Sequence, residues 1–126
     1  LSGIAVQIAS RVVSLAGPRE VLVSRTVKDL TVRNTRGDGI KAQLVNEITF
    51  HNVKVEWTNG PDKKNGGYGL YPVQCTNVII DHCTATGASD AGIYVGQSRY
   101  IIVKNSIANE KVAGNEIENS LYADVF

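Results

Sequence analysis

One short pattern recurs along the 126-residue chain, and it restricts the possible folds more than any other feature of the sequence. Four segments share it, GIKAQLVNEITFHN, GLYPVQCTNVIIDH, GIYVGQSRYIIVKN and GNEIENSLYADVF, which begin at Gly39, Gly69, Gly92 and Gly114. An earlier copy without the glycine begins at Val21, and the last copy is incomplete. The five copies start 18, 30, 23 and 22 residues apart, a spacing typical of stacked repeat architectures.

Apolar residues alternate with polar ones inside each copy, which is the pattern of short β-strands. The positions nine and eleven residues after each glycine are Ile48, Val78, Ile101 and Ala123, and Phe50, Ile80, Val103 and Val125. Because one such unit cannot bury its apolar side alone, the copies must stack on one another. We therefore predict an all-β fold, a parallel β-helix of about five coils, built as a single-stranded solenoid domain over residues 1–126.

The repeat also predicts the corners of the solenoid. The four glycines are expected at sharp bends that require positive φ. Thirteen residues after the glycine come Asn52 and Asn105, with Asn34 in the copy that starts at Val21. We expect these amides to form a buried ladder between turns. His82 occupies the same position, which favours a structural histidine over a catalytic one.

A long polar segment interrupts the repeat. The 30-residue step carries about eight more residues than its neighbours, and the surplus lies in WTNGPDKKNGG, residues 57–67. Its glycine, proline and asparagine content predicts a surface loop, either functional or a tolerated insertion. Trp57, the only tryptophan, is expected to be half buried with its ring edge available to a ligand.

Two rows of side chains are predicted to face solvent. The first row, two residues after each glycine, is Lys41, Tyr71, Tyr94 and Glu116, and the second is Arg33, His51, Asp81 and Lys104. With Tyr68 and Trp57, the lysine and tyrosines of the first row form a candidate carbohydrate-binding cluster, because sugar rings stack on aromatic side chains. The alternative for the tyrosines is a cross-strand pair that only stabilises the sheet. The second row is interpreted as a ladder of alternating charge.

Charge and cysteine content narrow the function classes. The net charge is +1 and no basic run exceeds two residues, which argues against nucleic-acid binding. No apolar run approaches the length of a transmembrane helix. Cys75 and Cys83 lack the spacing of a zinc site and are interpreted as buried free thiols, with a disulfide as the alternative. We predict neither a metal nor a cofactor.

The segments NTRGDGIKA, VEWTNGPDKKNGGYGLYPVQCTNVIIDHC and SDAGIYVGQSRYIIVKN resemble the bacterial right-handed parallel β-helix repeat proteins of the pectate-lyase-like superfamily. The resemblance covers nearly the whole chain and is strongest over residues 38–119. It implies a right-handed helix and an extracellular or periplasmic location. It also implies an exported, cytochrome-like partner protein, because the genes of that group are often paired with a gene for such a protein.

YGLYPVQC also resembles the Tyr-Gly-x-Asp-Pro-His-Asp/Glu segment of mannuronan C5-epimerases, which share this fold. Tyr68, Gly69 and Pro72 match that segment. The positions of its catalytic Asp and His and of the acid that follows carry other residues here, namely Tyr71, Val73 and Gln74, and those of a further Asp and Arg carry Gly96 and Val112. Removing the proton next to a uronate carboxyl takes a base, an acid and a cation. These substitutions favour a noncatalytic protein.

Three functions follow as hypotheses. The first is binding of a polysaccharide or an exported partner protein along the Tyr71/Tyr94 face. The second is a uronate lyase or epimerase with a differently built site, for which the candidate catalytic residues are Tyr68, Asp38, Asp90 and Lys41. The third is a structural module that self-associates end to end, because the chain starts and stops within a coil, as expected of a fragment or of a solenoid that lacks caps.

Overall fold

The computed structural model describes residues 26–109 and 113–126, which form eleven β-strands. The strands are Thr26–Arg33 (β1), Ile40–Gln43 (β2), Asn46–Glu56 (β3), Tyr68–Val73 (β4), Thr76–Asp81 (β5), Thr84–Thr86 (β6), Ala91–Gly96 (β7), Arg99–Lys104 (β8), Ile107–Asn109 (β9), Ala113–Glu118 (β10) and Leu121–Val125 (β11). These two stretches contain no helix that could cross a membrane. Val21 and Val112, both used in the sequence interpretation, lie outside the described residues.

The strands pair in parallel with their counterparts one coil away. One sheet has the order β11-β8-β5-β3-β6-β9, with β1 also paired to β3, and the other has the order β10-β7-β4-β2. The long strand β3 bends in the middle, so that its first half pairs with β5 and its second half with β6. The predicted all-β parallel β-helix is therefore confirmed, with three strand segments in each full coil.

The register of the copies that begin with glycine is as predicted, but the register predicted for the first copy is wrong. Thr26 pairs with Thr49, a step of 23 residues where we expected 18. Consequently Arg33 lies opposite Glu56, and Lys28 takes the predicted place of Arg33 beside His51. The physical reason is a bend at Asp29, whose φ of 53° interrupts the alternation that the sequence argument assumed to be continuous.

Non-glycine residues with φ between 48° and 64° form bends, some between strands and some inside them. They recur in three rows, which are Asp29, Asn52, His82 and Asn105; Leu44, Gln74, Gln97 and Asn119; and Glu47, Asn77, Tyr100 and Tyr122. Gly39, Gly69, Gly92 and Gly114 do not have positive φ, so the positive φ predicted for these glycines is wrong. Close contacts explain the glycine at three of these positions: an added Cβ would lie 2.6 Å from the Gly69 carbonyl oxygen at Gly39, 2.4 Å from the Gly92 carbonyl oxygen at Gly69, and 2.6 Å from Cβ of Ala108 at Gly92.

The asparagine ladder is exposed at the surface, so its predicted burial is also wrong. Asn52 Nδ2 donates to Asp29 Oδ1 over 2.8 Å, and Asn105 Nδ2 donates to Asp81 Oδ1 over 3.0 Å. The left-handed conformation at these bends directs two consecutive side chains toward solvent, which explains the exposure. Asn34 belongs to a different bend, after β1.

The core is a set of apolar ladders inside the coil. Side chains that the alternation placed inward are at most 1% exposed: Phe50, Leu70, Val78, Ile80, Ile93, Ile101 and Val103. Equivalent residues of successive coils are paired in register, as with Phe50, Ile80 and Val103. Burial of these side chains is the main favourable term in the stability of such a coil.

Cys75 and Cys83 are buried free thiols, as predicted. Each lies directly after a bend, and its backbone N–H donates to a serine hydroxyl of the next coil, Ser98 for Cys75 and Ser106 for Cys83, over 3.1 Å. Burial raises the pKa of both thiols, because a thiolate would lose its hydration inside the coil.

We expect both cysteines to react with a thiol reagent only when the β-helix unfolds, because a buried, protonated thiol is a poor nucleophile. The measurement is the rate of labelling by a chromogenic disulfide reagent in native buffer and in denaturant. Labelling should be slow in the first condition, and should reach the two thiols of the chain in the second. Rapid native labelling of both residues would contradict this assignment.

Candidate functional site

The predicted outward row lies on the sheet formed by β2, β4, β7 and β10. Lys41 pairs with Tyr71, and Tyr94 pairs with Glu116 one coil further on. These side chains are half buried or exposed, whereas their strand neighbours Leu70 and Ile93 point into the core. The register that the repeat predicted for this row is therefore confirmed.

Three tyrosine rings meet on this face. The ring centroids of Tyr68 and Tyr94 are 4.5 Å apart with the rings stacked at 29°, and Tyr71 lies 4.7 Å from Tyr68 and 5.2 Å from Tyr94. Lys41 Nζ lies 5.3 Å from the centroid of Tyr71, within the range of a cation–π contact. We call Lys41, Tyr68, Tyr71 and Tyr94 the tyrosine patch.

Carboxyl groups surround the tyrosine patch. The hydroxyl of Tyr94 donates to Glu118 Oε2 over 2.7 Å, and this bond raises the pKa of Tyr94 far above its ordinary value. Burial is the largest cause that raises the pKa of Tyr68, and the negative charge of Asp90 is the second. The raised pKa keeps both phenols protonated at neutral pH, so neither is suited to act as a base, and the phenol of Tyr94 donates to Glu118.

Asp38 and Asp90 lie at the same edge as Tyr68, as the sequence suggested. Asp38 Oδ1 accepts a hydrogen bond from the backbone N–H of Tyr68 over 3.1 Å, and half burial raises the pKa of its carboxyl group. Asp90 is exposed, and its backbone N–H donates to Gly67 O over 3.1 Å. This hydrogen bond helps to hold the start of β4.

The positions of the epimerase acid and base carry no such groups. Val73 is buried in the wall of the coil. Gln74 is at an exposed bend, where its Oε1 accepts from Gln43 Nε2 over 2.9 Å. The chemistry of Tyr71, Val73 and Gln74 does not supply the base, acid and cation that uronate epimerisation requires.

Trp57 does not belong to the tyrosine patch, and its predicted half-exposure is wrong. Only 3% of the residue is accessible, and its indole Nε1 donates to the carbonyl oxygen of Thr35 over 2.7 Å. Gly66 packs so closely against the ring that an added Cβ would lie 2.9 Å from Cζ2. Trp57 therefore fastens the start of the long loop to the preceding coil.

The loop itself is fixed at a few points. The Asn65 side chain donates to the carbonyl oxygens of Gly60 and Gly87 over 2.8 and 2.7 Å, and Asp62 Oδ1 accepts from the backbone N–H of Lys64 over 2.8 Å. Most of the intervening side chains are exposed.

A second pair of tyrosines was missed by the sequence argument. Tyr100 and Tyr122 stack with centroids 5.1 Å apart and an angle of 8° between rings. They line a shallow groove of about 420 Å³ together with Ile79, Ile102 and Asp124. The available signal was their common position, eight residues after Gly92 and Gly114.

The contacts of His82 with Asp81 and with the ring of His51 were not predicted from the sequence. His51 Nδ1 lies 3.4 Å from Asp81 Oδ2, and His82 Nδ1 lies 2.7 Å from Asp81 Oδ1. The pKa of Asp81 is lowered, first by the hydrogen bond from Asn105 and then by the neighbouring His82. The available signal was the pairing of positions twelve and thirteen after the glycine in adjacent copies.

A family model for the right-handed β-helix region matches residues 21–123. The chain belongs to this right-handed β-helix family. A search of curated proteins gave no match, and neither did a search of solved structures. Membership of the right-handed β-helix family establishes the architecture, but a fold of this kind hosts many unrelated activities, so function must be argued from the sites.

Proposed function

We propose that this right-handed β-helix protein binds polysaccharide on the tyrosine patch without transforming it. The observation that supports the proposal is the meeting of three tyrosine rings from neighbouring coils, with centroids 4.5–5.2 Å apart, on one outward face. The apolar face of a sugar packs on such rings, while its hydroxyls bond to the polar groups around them. The repeat spacing of the coils suits a chain ligand that runs along the solenoid axis.

The charges around the patch favour neutral sugars. The negative charges of Asp38, Asp90 and Glu116 all contribute to raising the pKa of Tyr68, and Glu118 accepts a hydrogen bond from Tyr94. A uronate polymer brings a negative charge on each residue and would be repelled by this acidic surround. We therefore propose a neutral polysaccharide as the ligand, encountered outside the cytoplasm, in agreement with the location that the bacterial resemblance implies.

A uronate lyase is the second candidate, and one observation favours it. Asp38 is half buried beside Tyr68 with a raised pKa, as a general acid would be. Mixing the protein with alginate and pectate and following the ultraviolet absorbance of unsaturated products tests this candidate. Absence of such products, together with absence of proton exchange at C5, eliminates it.

Substituting Tyr71 or Tyr94 with alanine is expected to weaken polysaccharide retention by between about twofold and tenfold, because each aromatic contact contributes ~0.5–1.5 kcal/mol. Affinity electrophoresis in gels that contain neutral or acidic polysaccharides measures the effect. Tyr100→Ala is the matched control, since it removes the same side chain from the other sheet.

Circular dichroism should show an unchanged β-helix in all three variants. Retention that is lost in Tyr100→Ala but kept in Tyr71→Ala would move the site to the groove of Tyr100 and Tyr122. Stronger retention on acidic than on neutral polymers would contradict the proposed ligand class.

A further inference from the structure

Two histidines and an aspartate meet on the outer surface of the seven-stranded sheet, not the sheet that carries the tyrosine patch. His51 lies in β3, Asp81 ends β5, and His82 follows it at the bend. The histidine rings are edge to face with centroids 5.5 Å apart. One donor atom from each of the three residues lies within 4.8 Å of the other two.

The coil geometry explains why three donors point the same way. Parallel pairing places His51 directly beside Asp81, one coil away. In an extended strand His82 would point to the opposite side from Asp81. Its φ of 52° breaks that alternation, so that both side chains face solvent and Cys83 is the next to point inward.

We propose that His51, Asp81 and His82 form a surface site for a divalent transition-metal ion of the zinc class. Two imidazoles and one carboxylate are a donor set that suits Zn²⁺, Cu²⁺ or Ni²⁺, whereas Ca²⁺ and Mg²⁺ prefer oxygen alone. Donors on one tetrahedral zinc ion lie about 3.4 Å apart, given bonds of about 2.1 Å. The 3.4 Å between His51 Nδ1 and Asp81 Oδ2 already has this value, and an exposed His82 side chain can rotate to complete the set.

The surroundings provide one supporting contact and two opposing charges, of which the first is Lys28, which pairs with His51 from the preceding coil. Asn105 Nδ2 donates to Asp81 Oδ1 over 3.0 Å and orients the carboxylate, as residues around bound metal ions commonly do. Lys104 pairs with Asp81 from the next coil and brings a positive charge that disfavours a cation. The site is therefore expected to bind the metal with moderate affinity. A variant in which a neutral residue replaces Lys104 should bind it more tightly.

The experiment is calorimetric titration of the protein, prepared without a histidine tag, with Zn²⁺ alone. We expect one ion per chain in the wild type, and at least tenfold weaker binding in each of His51→Ala, His82→Ala and Asp81→Asn. Lys104→Gln should bind more tightly than the wild type. Asp124→Asn, which removes an exposed carboxylate of the same sheet, is the control and should bind as the wild type does.

Nuclear magnetic resonance gives a second measurement of binding, which does not rely on the heat of binding. The chain has only two histidines, so both imidazole signals should shift together on addition of Zn²⁺. Failure of the wild type to bind would overturn the proposal. Full binding by the His51→Ala/His82→Ala double variant would also overturn it, because the ion would then lie elsewhere on the chain.

Discussion

Replacing Phe50 with alanine is expected to lower the free energy of unfolding by about 3–5 kcal/mol, the range for removing a buried phenylalanine. Phe50 has no accessible surface and pairs with Val27 in the preceding coil and Ile80 in the following one. The cavity left by the ring would lie between stacked coils, whose spacing is fixed by backbone hydrogen bonds and so cannot collapse around it. Denaturation in urea measures the loss. The dependence of the unfolding free energy on urea concentration should be compared between variants.

Ile107→Ala is the matched control for this substitution, because Ile107 is 54% exposed in β9. Its effect should stay within about 0.5 kcal/mol, as for ordinary surface positions. If the two substitutions destabilised the protein equally, the inward ladder would not be the main source of stability.

Replacing Gly69 with alanine is expected to destabilise the protein by about 1–3 kcal/mol through overpacking. The new methyl group would lie 2.4 Å from the carbonyl oxygen of Gly92 and 2.8 Å from Cβ of Ala85. The first of these is backbone of the adjacent coil, so relief requires the coils to separate. Thermal and urea unfolding of the variant measure the effect.

Gly37→Ala provides the comparison, since a methyl group there would meet nothing within 4 Å. That variant should be neutral, or more stable by ~0.4–1 kcal/mol because its unfolded chain is less flexible. Equal tolerance at Gly37 and Gly69 would show that the glycine row is not required by close approach of the coils.

The repeat made much of the fold predictable. Apolar alternation is a local property, so the inward positions of Ile48, Phe50 and Val78 could be assigned before the coil was known. The outward row that holds Lys41, Tyr71 and Tyr94 followed from the same spacing, and the strand pairing has that register.

The candidate sites were predictable only in part. Lys41, Tyr71 and Tyr94 could be grouped because they share one repeat position, and Tyr68 joins them because it directly precedes Gly69. Trp57 could not be placed, because its burial depends on Thr35 and Gly66, which approach it from other parts of the chain.

The sequence by itself determined that the chain folds as stacked coils and which side chains line their interior. The reason is that the repeat period and the alternation of apolar residues can be read from each segment alone. The tertiary structure decided which further side chains of adjacent coils meet, including His82 with His51 and Asp81, and Tyr100 with Tyr122. The physical reason is that coil lengths of 23, 30, 23 and 22 residues and bends at left-handed residues set the register, and neither is a property of one segment alone.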